Sequence, residues 1–262
     1  MGGHPGFVNY LIEQGLSPGT IRVYAQAVTR ASTFMDLATV TAVTVAEYAG
    51  RLAPSHSTRG QLRCALKHWY EYVGSDGPWR AVRVPPQPEM LCRALSPEAA
   101  RDLAKVAVGW YPNGLATLLG LYLALRRGEI AGAEWSRLRG DYYTVTGKGS
   151  KTATLPVHPV LLHELQATTR GSPWVFPGRL DGHASVATVW RWVKDCATEA
   201  GIPEITTHQL RHTCLATAND NTQNLRAVQS FARHSKPQTT SGYTRTTEKR
   251  LREVSDALDY LN

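Results

Sequence analysis

The sequence lacks the features that mark membrane, secreted and disulfide-rich proteins. Its longest apolar run, residues 115–125, is too short to cross a bilayer. The first ten residues lack the basic and apolar segments of a signal peptide, so we expect a cytoplasmic protein. The four cysteines form no CxxC pair, which disfavours a disulfide framework and a zinc cluster. They are Cys64, Cys92, Cys196 and Cys214.

Lysine is scarce as well. Of 29 basic residues only seven are lysine, and with 21 acidic residues the net charge is +8. The planar guanidinium group suits phosphate oxygens, so the predominance of arginine favours a nucleic-acid partner over a membrane surface. The hydrophobic content of 42% in 262 residues excludes a disordered chain and predicts one large or two modest domains.

The first eighty residues predict a small all-helical bundle. Ser17-Pro18 supplies an N-cap followed by proline at the first helical position, and Thr44–Glu47 matches a capping box. Apolar residues recur at helical spacing. The predicted helices are Phe7–Gln14, one from Ser17-Pro18 to about Met35, one from Thr44 to about Leu52, and one from Ser57 to Val73.

Two of these helices carry polar and basic stripes opposite their apolar faces. Most such stripes are only solvated surface. Two of them in one small bundle, without interleaved carboxylates, favour contact with DNA. The candidate DNA-binding residues are Arg22, Gln26 and Arg30 on the second helix and Arg59, Arg63 and Lys67 on the fourth.

A proline-rich segment separates this bundle from the rest of the chain. Three prolines within residues 85–88 keep the chain extended, which is typical of a linker. We therefore predict a first domain at 1–84, a linker at 85–95 and a second domain at 96–262. Ser96 is the predicted N-cap of the first helix of the second domain.

The second domain is predicted to be mostly helical with one small antiparallel sheet, so the fold class is mainly α. Two alternating strands, 141–146 and 152–157, flank a glycine-bearing turn at Gly147–Ser150. A helical tail at 246–261 has one apolar face, formed by Leu251, Val254, Leu258 and Leu261. The other predicted helices span 97–108, 113–125, 158–169, 185–200, 208–219 and 223–233.

Four local patterns suit phosphate chemistry, although each has an ordinary explanation alone. An arginine near the end of an apolar helix, such as Arg126, is often only a helix-terminal cation. Lys148 between two glycines is more often a solvated turn residue. His208 and His212 have the spacing of a metal pair, but no HExxH glutamate or third ligand supports one, so we expect no metal. A lone tyrosine such as Tyr243 usually belongs to the core or the surface.

In chain order, these patterns resemble the tyrosine recombinase (phage integrase) family. The resemblance extends from about residue 5 to the end. One departure is Ala232-Arg233 before His234, where the family usually has Leu-Gly; we expect it to change local packing and leave His234 in place. The matching pieces are Leu125-Arg126…Glu129, Gly147-Lys148-Gly149, His208-Gln209-Leu210-Arg211-His212, Arg233-His234-Ser235 and Tyr243.

The resemblance implies a catalytic set that cuts and rejoins DNA. The two arginines would clamp the nonbridging oxygens of a phosphodiester, with the second histidine as a further donor. The first histidine would help to deprotonate the tyrosine, which becomes linked to the 3′-phosphate, and the lysine would protonate the leaving 5′-oxygen. No ATP, metal or other cofactor is needed. The implied residues are Arg126, Lys148, His208, Arg211, His234 and Tyr243.

Three neighbouring residues keep open roles. Glu129 either orients Arg126 or only caps a helix. His212 is expected to pack structurally. Lys151 competes with Lys148, although the Gly-Lys-Gly position matches the family lysine better.

The resemblance also implies the partners. Two domains, the first a core-binding, SAM-like bundle, would clamp a double-stranded DNA core site with inverted repeats, and four protomers would join two sites. The layout is similar to Xer- and Cre-like members without a preceding arm-binding domain. Accessory DNA-bending or directionality factors are left open. The tail would dock on a neighbouring protomer, the alternative being packing on its own domain.

Two other functions are weighed against this one. A type IB topoisomerase shares the catalytic set but acts as a monomer and re-ligates the same strand. A DNA-binding regulator with degenerate catalysis is disfavoured, because all six catalytic positions are filled.

Overall fold

A computed structural model of the chain divides into two compact units, Met1–Met90 and Leu91–Asn262. The boundary lies within the predicted linker. Among the helices that the structure describes, none is long and apolar enough to cross a membrane. The described residues are 4–52, 55–86, 94–146, 152–179, 182–202, 204–233 and 248–261.

The described residues of the first unit form four helices and one short 3₁₀ turn, as the sequence predicts for a helical bundle. Its core is formed by buried apolar side chains such as Phe7, Leu11, Val28, Val45 and Leu66. The elements are α1 Pro5–Glu13, α2 Pro18–Ser32, α3 Ala42–Arg51, α4 His56–Tyr72 and the 3₁₀ turn Trp79–Ala81.

Side-chain caps set the starts of three of these helices. Ser17 caps α2, as predicted, by accepting the backbone N–H of Thr20 at 3.3 Å. The capping box predicted at Thr44 is wrong. Thr41 caps α3 instead, because its hydroxyl oxygen accepts the Thr44 N–H and the chain is already helical from residue 42. Likewise α4 begins at His56, one residue before its predicted start at Ser57, since Ser55 is its cap.

In its described residues the second unit is mostly helical and carries a three-stranded antiparallel sheet, which confirms the predicted fold class. The short elements β1 and α7 were not predicted. The strands, in sheet order, are β1 Leu138–Arg139, β2 Tyr142–Thr146 and β3 Thr152–Pro156. The helices are α5 Pro97–Ala107, α6 Asn113–Leu123, α7 Arg127–Ala131, α8 Pro159–Ala167, α9 Val186–Glu199, α10 Thr207–Thr222, α11 Leu225–Phe231 and α12 Glu248–Asp256.

Helix α6 is the central element of this unit. Every residue from Gly114 to Leu123 is buried, which explains why its sequence is apolar on all sides. Helix α10 approaches α6 closely at Gly120, where a Cβ would lie only 2.9 Å from a methyl carbon of Leu210. This close approach brings Arg211, the next residue of α10, to the end of α6.

The tail packs on its own unit. Val254 and Leu258 are completely buried, and Tyr260 nearly so, with its hydroxyl donating to the Leu121 carbonyl at 3.3 Å. The amide of Asn221 on α10 donates to the Ala257 carbonyl at 2.8 Å. Of the two placements that the sequence left open, the structure has packing within the chain; docking on a neighbour stays a prediction.

Candidate active site

The site begins where α6 ends. Ala124 closes this helix in the left-handed region, with φ +50°, and the chain turns so that Arg126 becomes the N-cap of α7. The Ala124 carbonyl oxygen accepts hydrogen bonds from two guanidinium groups, those of Arg211 and Arg233. The end of one buried helix thus gathers arginines from distant parts of the sequence.

Arg211 is the buried centre of the site. Its guanidinium donates to the carbonyls of Ala124 and of Ala232, the residue that ends α11, and the residue is 2% exposed. Burial, followed by repulsion from Arg126 and Arg233, lowers the pKa of Arg211 to about 10. The side chain is therefore still a cation at neutral pH, and it is desolvated and fixed before any ligand arrives.

Glu129 holds Arg126 in two ways. Its Oε1 atom accepts from Arg126 Nη1 at 2.9 Å, and its Oε2 atom accepts from the Arg126 backbone N–H at 2.8 Å. Glu129 therefore caps α7 and also orients the arginine, so both of the roles that the sequence left open are present. The Arg126 side chain is 43% exposed, which makes it the arginine of the site that an incoming ligand reaches most easily.

The structure adds a third arginine that the sequence analysis missed. Arg233 Nη2 donates to the Ala124 carbonyl at 3.1 Å and to Glu129 Oε2 at 3.0 Å. Only 7% of its side chain is exposed, and burial is the main cause that lowers its pKa. The signal for Arg233 in the sequence was that Ala232-Arg233 replaces the usual Leu-Gly. No local pattern could assign it a role, because its side chain contacts Ala124 and Glu129, more than a hundred positions earlier.

The charges in this site do not balance. Three guanidinium groups share one carboxylate, that of Glu129, as the acidic partner in the described part of the chain. Excess positive charge in a desolvated setting favours a bound anion. A phosphodiester fits best, because guanidinium groups pair with its two nonbridging oxygens. The site can therefore bind a phosphate group and stabilise charge that develops on it.

His208 and His212 lie on α10 on either side of Arg211 in the sequence. His208 is exposed on the first turn of α10, three residues before Arg211, and His212 is half-buried. Their rings meet edge to face with centroids 4.5 Å apart. No group of three metal-ligating side chains occurs within the described ranges.

Half of the predicted catalytic residues lie outside the described part of the chain, so their placement stays a prediction. These are Lys148, His234 and Tyr243, and the competing Lys151 also lies there. Of the other three, the structure brings Arg126 and Arg211 close enough for the charge of one to lower the pKa of the other. His208 shares a helix with Arg211.

The predicted basic stripes of the first unit differ in how exposed they are and in how many contacts they make within the unit. On α2, Arg22, Gln26 and Arg30 are all exposed. The Arg30 Nε atom donates to the Gln26 carbonyl at 3.4 Å, which leaves its charge open to solvent. This stripe is available to a partner.

On α4 the stripe is partly engaged by its own unit. Arg59 and Arg63 are half-buried, and the Arg63 guanidinium carbon lies 5.3 Å from the centroid of the Trp79 ring. Lys67 Nζ pairs with Glu71 at 3.4 Å. No carboxylate lies between Arg59 and Lys67, as predicted, but Glu71 continues the four-residue spacing beyond the stripe and pairs with Lys67.

Comparison with known proteins places this chain in a family. The profile of the phage integrase family matches residues 97–250, more than half of the chain. The tyrosine recombinase XerA of Pyrococcus furiosus is 29% identical, over 97% of this chain and 93% of its own length. The solved integrase of mycobacterium phage Brujita is 26% identical, with a TM-score of 0.54 over 97% of this chain and 91% of that one.

The fold is also similar to that of a lambda integrase dimer bound to a COC′ core site. The TM-score is 0.69 over 94% of this chain and 100% of that chain, at 15% sequence identity. The family profile covers α7, α10 and α11, whose ends build the arginine site. The chain therefore belongs to the phage integrase family and is a tyrosine recombinase.

Proposed function

We propose that this chain is a site-specific DNA recombinase that cuts and rejoins strands through a phosphotyrosine at Tyr243. The arginine site carries the proposal. Arg126 and Arg211 converge from separate helices, and Glu129 pairs with Arg126. The scissile phosphate is the anion that such a site serves.

In the proposed reaction the hydroxyl oxygen of Tyr243 attacks the phosphorus of the scissile phosphodiester. The bond from phosphorus to the 5′-oxygen breaks, and the 3′-phosphate becomes ester-linked to the tyrosine. The tyrosine proton passes to His208, and Lys148 gives a proton to the 5′-oxygen, which leaves as a hydroxyl. One phosphoester bond replaces another, so the 5′-hydroxyl of a partner strand reverses the step without ATP or metal.

The two described arginines have different parts in this scheme. Two backbone carbonyls hold Arg211 in place, so it stabilises the transition state without reorganising. Arg126 is half-exposed and oriented by Glu129, which suits a side chain that closes on the phosphate as DNA binds. His234 adds a further donor.

We propose double-stranded DNA with an inverted-repeat core site as the substrate, and a tetramer on two synapsed sites as the working assembly. The net charge of +8 and the exposed α2 stripe favour a DNA partner. In this proposal the first unit binds the core site and the second performs catalysis. Accessory DNA-bending or directionality factors and the cytoplasmic location stay predictions.

The variant Tyr243→Phe tests the proposal, because it removes only the attacking hydroxyl. The DNA is a core site selected from random duplexes and nicked so that the short 5′-hydroxyl fragment diffuses away after cleavage. The wild type should accumulate an SDS-resistant protein–DNA adduct. The variant should form none, while its affinity for the intact site changes by less than about twofold.

The matched control is Tyr72→Phe, which removes the hydroxyl of a half-exposed tyrosine on α4 and should form the adduct at the wild-type rate. An adduct formed by Tyr243→Phe would contradict the proposal. Exchange of flanking DNA between two sites distinguishes recombination from the strand relaxation of a topoisomerase.

A further inference from the structure

Arg233 has an unusual backbone for its residue type. Its φ is +55°, in the left-handed region that disfavours a side chain with a Cβ and that glycine adopts freely. The phage integrase family usually has glycine here. This chain instead keeps a strained arginine directly before His234. Residues held in sparsely populated conformations cluster at functional sites.

The Arg233 side chain makes hydrogen bonds through one nitrogen. Nη2 donates to the Ala124 carbonyl and to Glu129 Oε2, whereas Nε and Nη1 are buried and have no partner among the described residues. Attraction to Glu129 is the first cause that opposes the burial of this charge. The Ala124 carbonyl and Glu129 therefore hold the guanidinium in place together, and Glu129 is the partner that carries the opposite charge.

Glu129 connects Arg233 to Arg126. Its Oε2 atom accepts from Arg233 and from the Arg126 backbone, and its Oε1 atom accepts from the Arg126 side chain. Only 12% of the Glu129 side chain is exposed, so little water is present to replace a lost donor. Without Arg233, Oε2 keeps, among the described residues, only the Arg126 backbone N–H as a donor, so the carboxylate can rotate to pair through both oxygens with the Arg126 guanidinium. That pairing would draw Arg126 away from the phosphate.

We propose that Arg233 is a positioning residue for strand cleavage. It fixes the Glu129 carboxylate so that Arg126 is presented to the scissile phosphate. The same contact links α7, which contains Glu129, to the segment that leads into His234. Arg233 acts through Glu129 and Arg126 and does not itself touch DNA. This inference rests on the proposed function.

A double-mutant cycle tests it by single-turnover cleavage of the nicked substrate at saturating protein. Arg233→Gly restores an unstrained backbone and removes the contact, so it should slow cleavage about tenfold to a hundredfold, while affinity changes by less than about threefold. In an Arg126→Lys background, the same substitution should slow cleavage by less than about threefold, because the group that it positions is already altered. Arg233→Lys should recover part of the rate, since its amine can donate to Glu129.

Two controls separate positioning from general damage. Arg101→Ala removes an exposed arginine of α5 and should leave the rate unchanged. The unfolding temperature is measured for every variant. If Arg233→Gly unfolds early, the cycle is repeated with Arg233→Asn, which tolerates the left-handed backbone and also removes the guanidinium.

An equal loss of rate in both backgrounds would overturn the inference, because Arg233 would then act independently of Arg126. So would a wild-type rate for Arg233→Gly while the wild-type protein still forms an adduct at Tyr243. If the wild type forms no adduct, or forms it at another residue, the proposed function fails instead. The two failures are therefore distinguishable.

Discussion

Arginines serve two opposite purposes in the two units of this molecule. In the second unit, Arg211 and Arg233 are buried and held by backbone carbonyls and Glu129. In the first unit, Arg22 and Arg30 are exposed on α2. The same type of side chain is thus held and desolvated in one place, and exposed to solvent in the other.

This difference determines what each set can contribute. A desolvated, preorganised cation acts strongly on charge that develops in a transition state, whereas an exposed cation is screened by salt and contributes through counterion release. We therefore expect the buried arginines to control the rate of strand cleavage and the exposed stripe to control affinity.

The largest effect should come from Arg211. Arg211→Lys keeps the charge but loses the planar fork, in which two nitrogens donate to the two carbonyls. Cleavage by bound protein should therefore slow by about 10²–10³-fold. Arg22→Ala is the matched variant from the exposed stripe, and it should cleave at the wild-type rate once its site is saturated. Single-turnover kinetics at saturating protein measure both, and a slow Arg22→Ala with a normal Arg211→Lys would break the comparison.

The scaffold behind the buried arginines should produce the next largest effect. Leu258 follows α12 and is completely buried, so Leu258→Ala should lower the free energy of unfolding by about 2–4 kcal/mol. Leu261→Ala, at a partly buried position, should cost less. Urea unfolding of the monomer measures both variants.

Removal of residues 246–262 extends the same test. The observed packing within the chain predicts a destabilised monomer. If the monomer keeps its stability and only cooperative assembly and strand exchange are lost, the tail docks on a neighbouring protomer instead.

The smallest effects should come from the exposed stripe. Loss of Arg22 or Arg30 should flatten the slope of log affinity against log salt by roughly one unit each. Loss of Arg63 or Lys67 should change it less, because Trp79 and Glu71 already engage these side chains. Equal slopes for all four alanine variants would mean that the α2 and α4 stripes contribute equally to DNA binding, whatever their exposure.

The helical scaffold was predictable from the sequence because its signals are local. Ser17 and Ser96 cap their helices as predicted, and apolar spacing located α5 to within about a residue. The errors in the predicted helices also have local causes. The choice between Thr41 and Thr44 as the cap of α3 is decided by which hydroxyl accepts and which residue donates. Helix α7 has only five residues, too few to show a period.

The arrangement of the site was predictable only in part. Motif order predicted Arg126 and Arg211 as site residues. The Ala124 carbonyl that Arg211 and Arg233 share depends on the left-handed turn at the end of α6, which no motif shows. The role of Arg233 depends on Glu129, 104 positions earlier in the chain. Sequence alone treats such a residue as a departure from the family pattern, because its partner is close only in the folded chain.

Identification of the residue that becomes attached to DNA tests the central claim most directly. The wild-type protein is reacted with the nicked core site, the adduct is digested with protease and nuclease, and the nucleotide-linked peptide is sequenced by mass spectrometry. We expect a 3′-phosphate on Tyr243 in the wild type, and a strongly reduced yield of adduct with Arg211→Lys at saturating DNA. Attachment to any other residue, or an undiminished yield with Arg211→Lys, would contradict that claim.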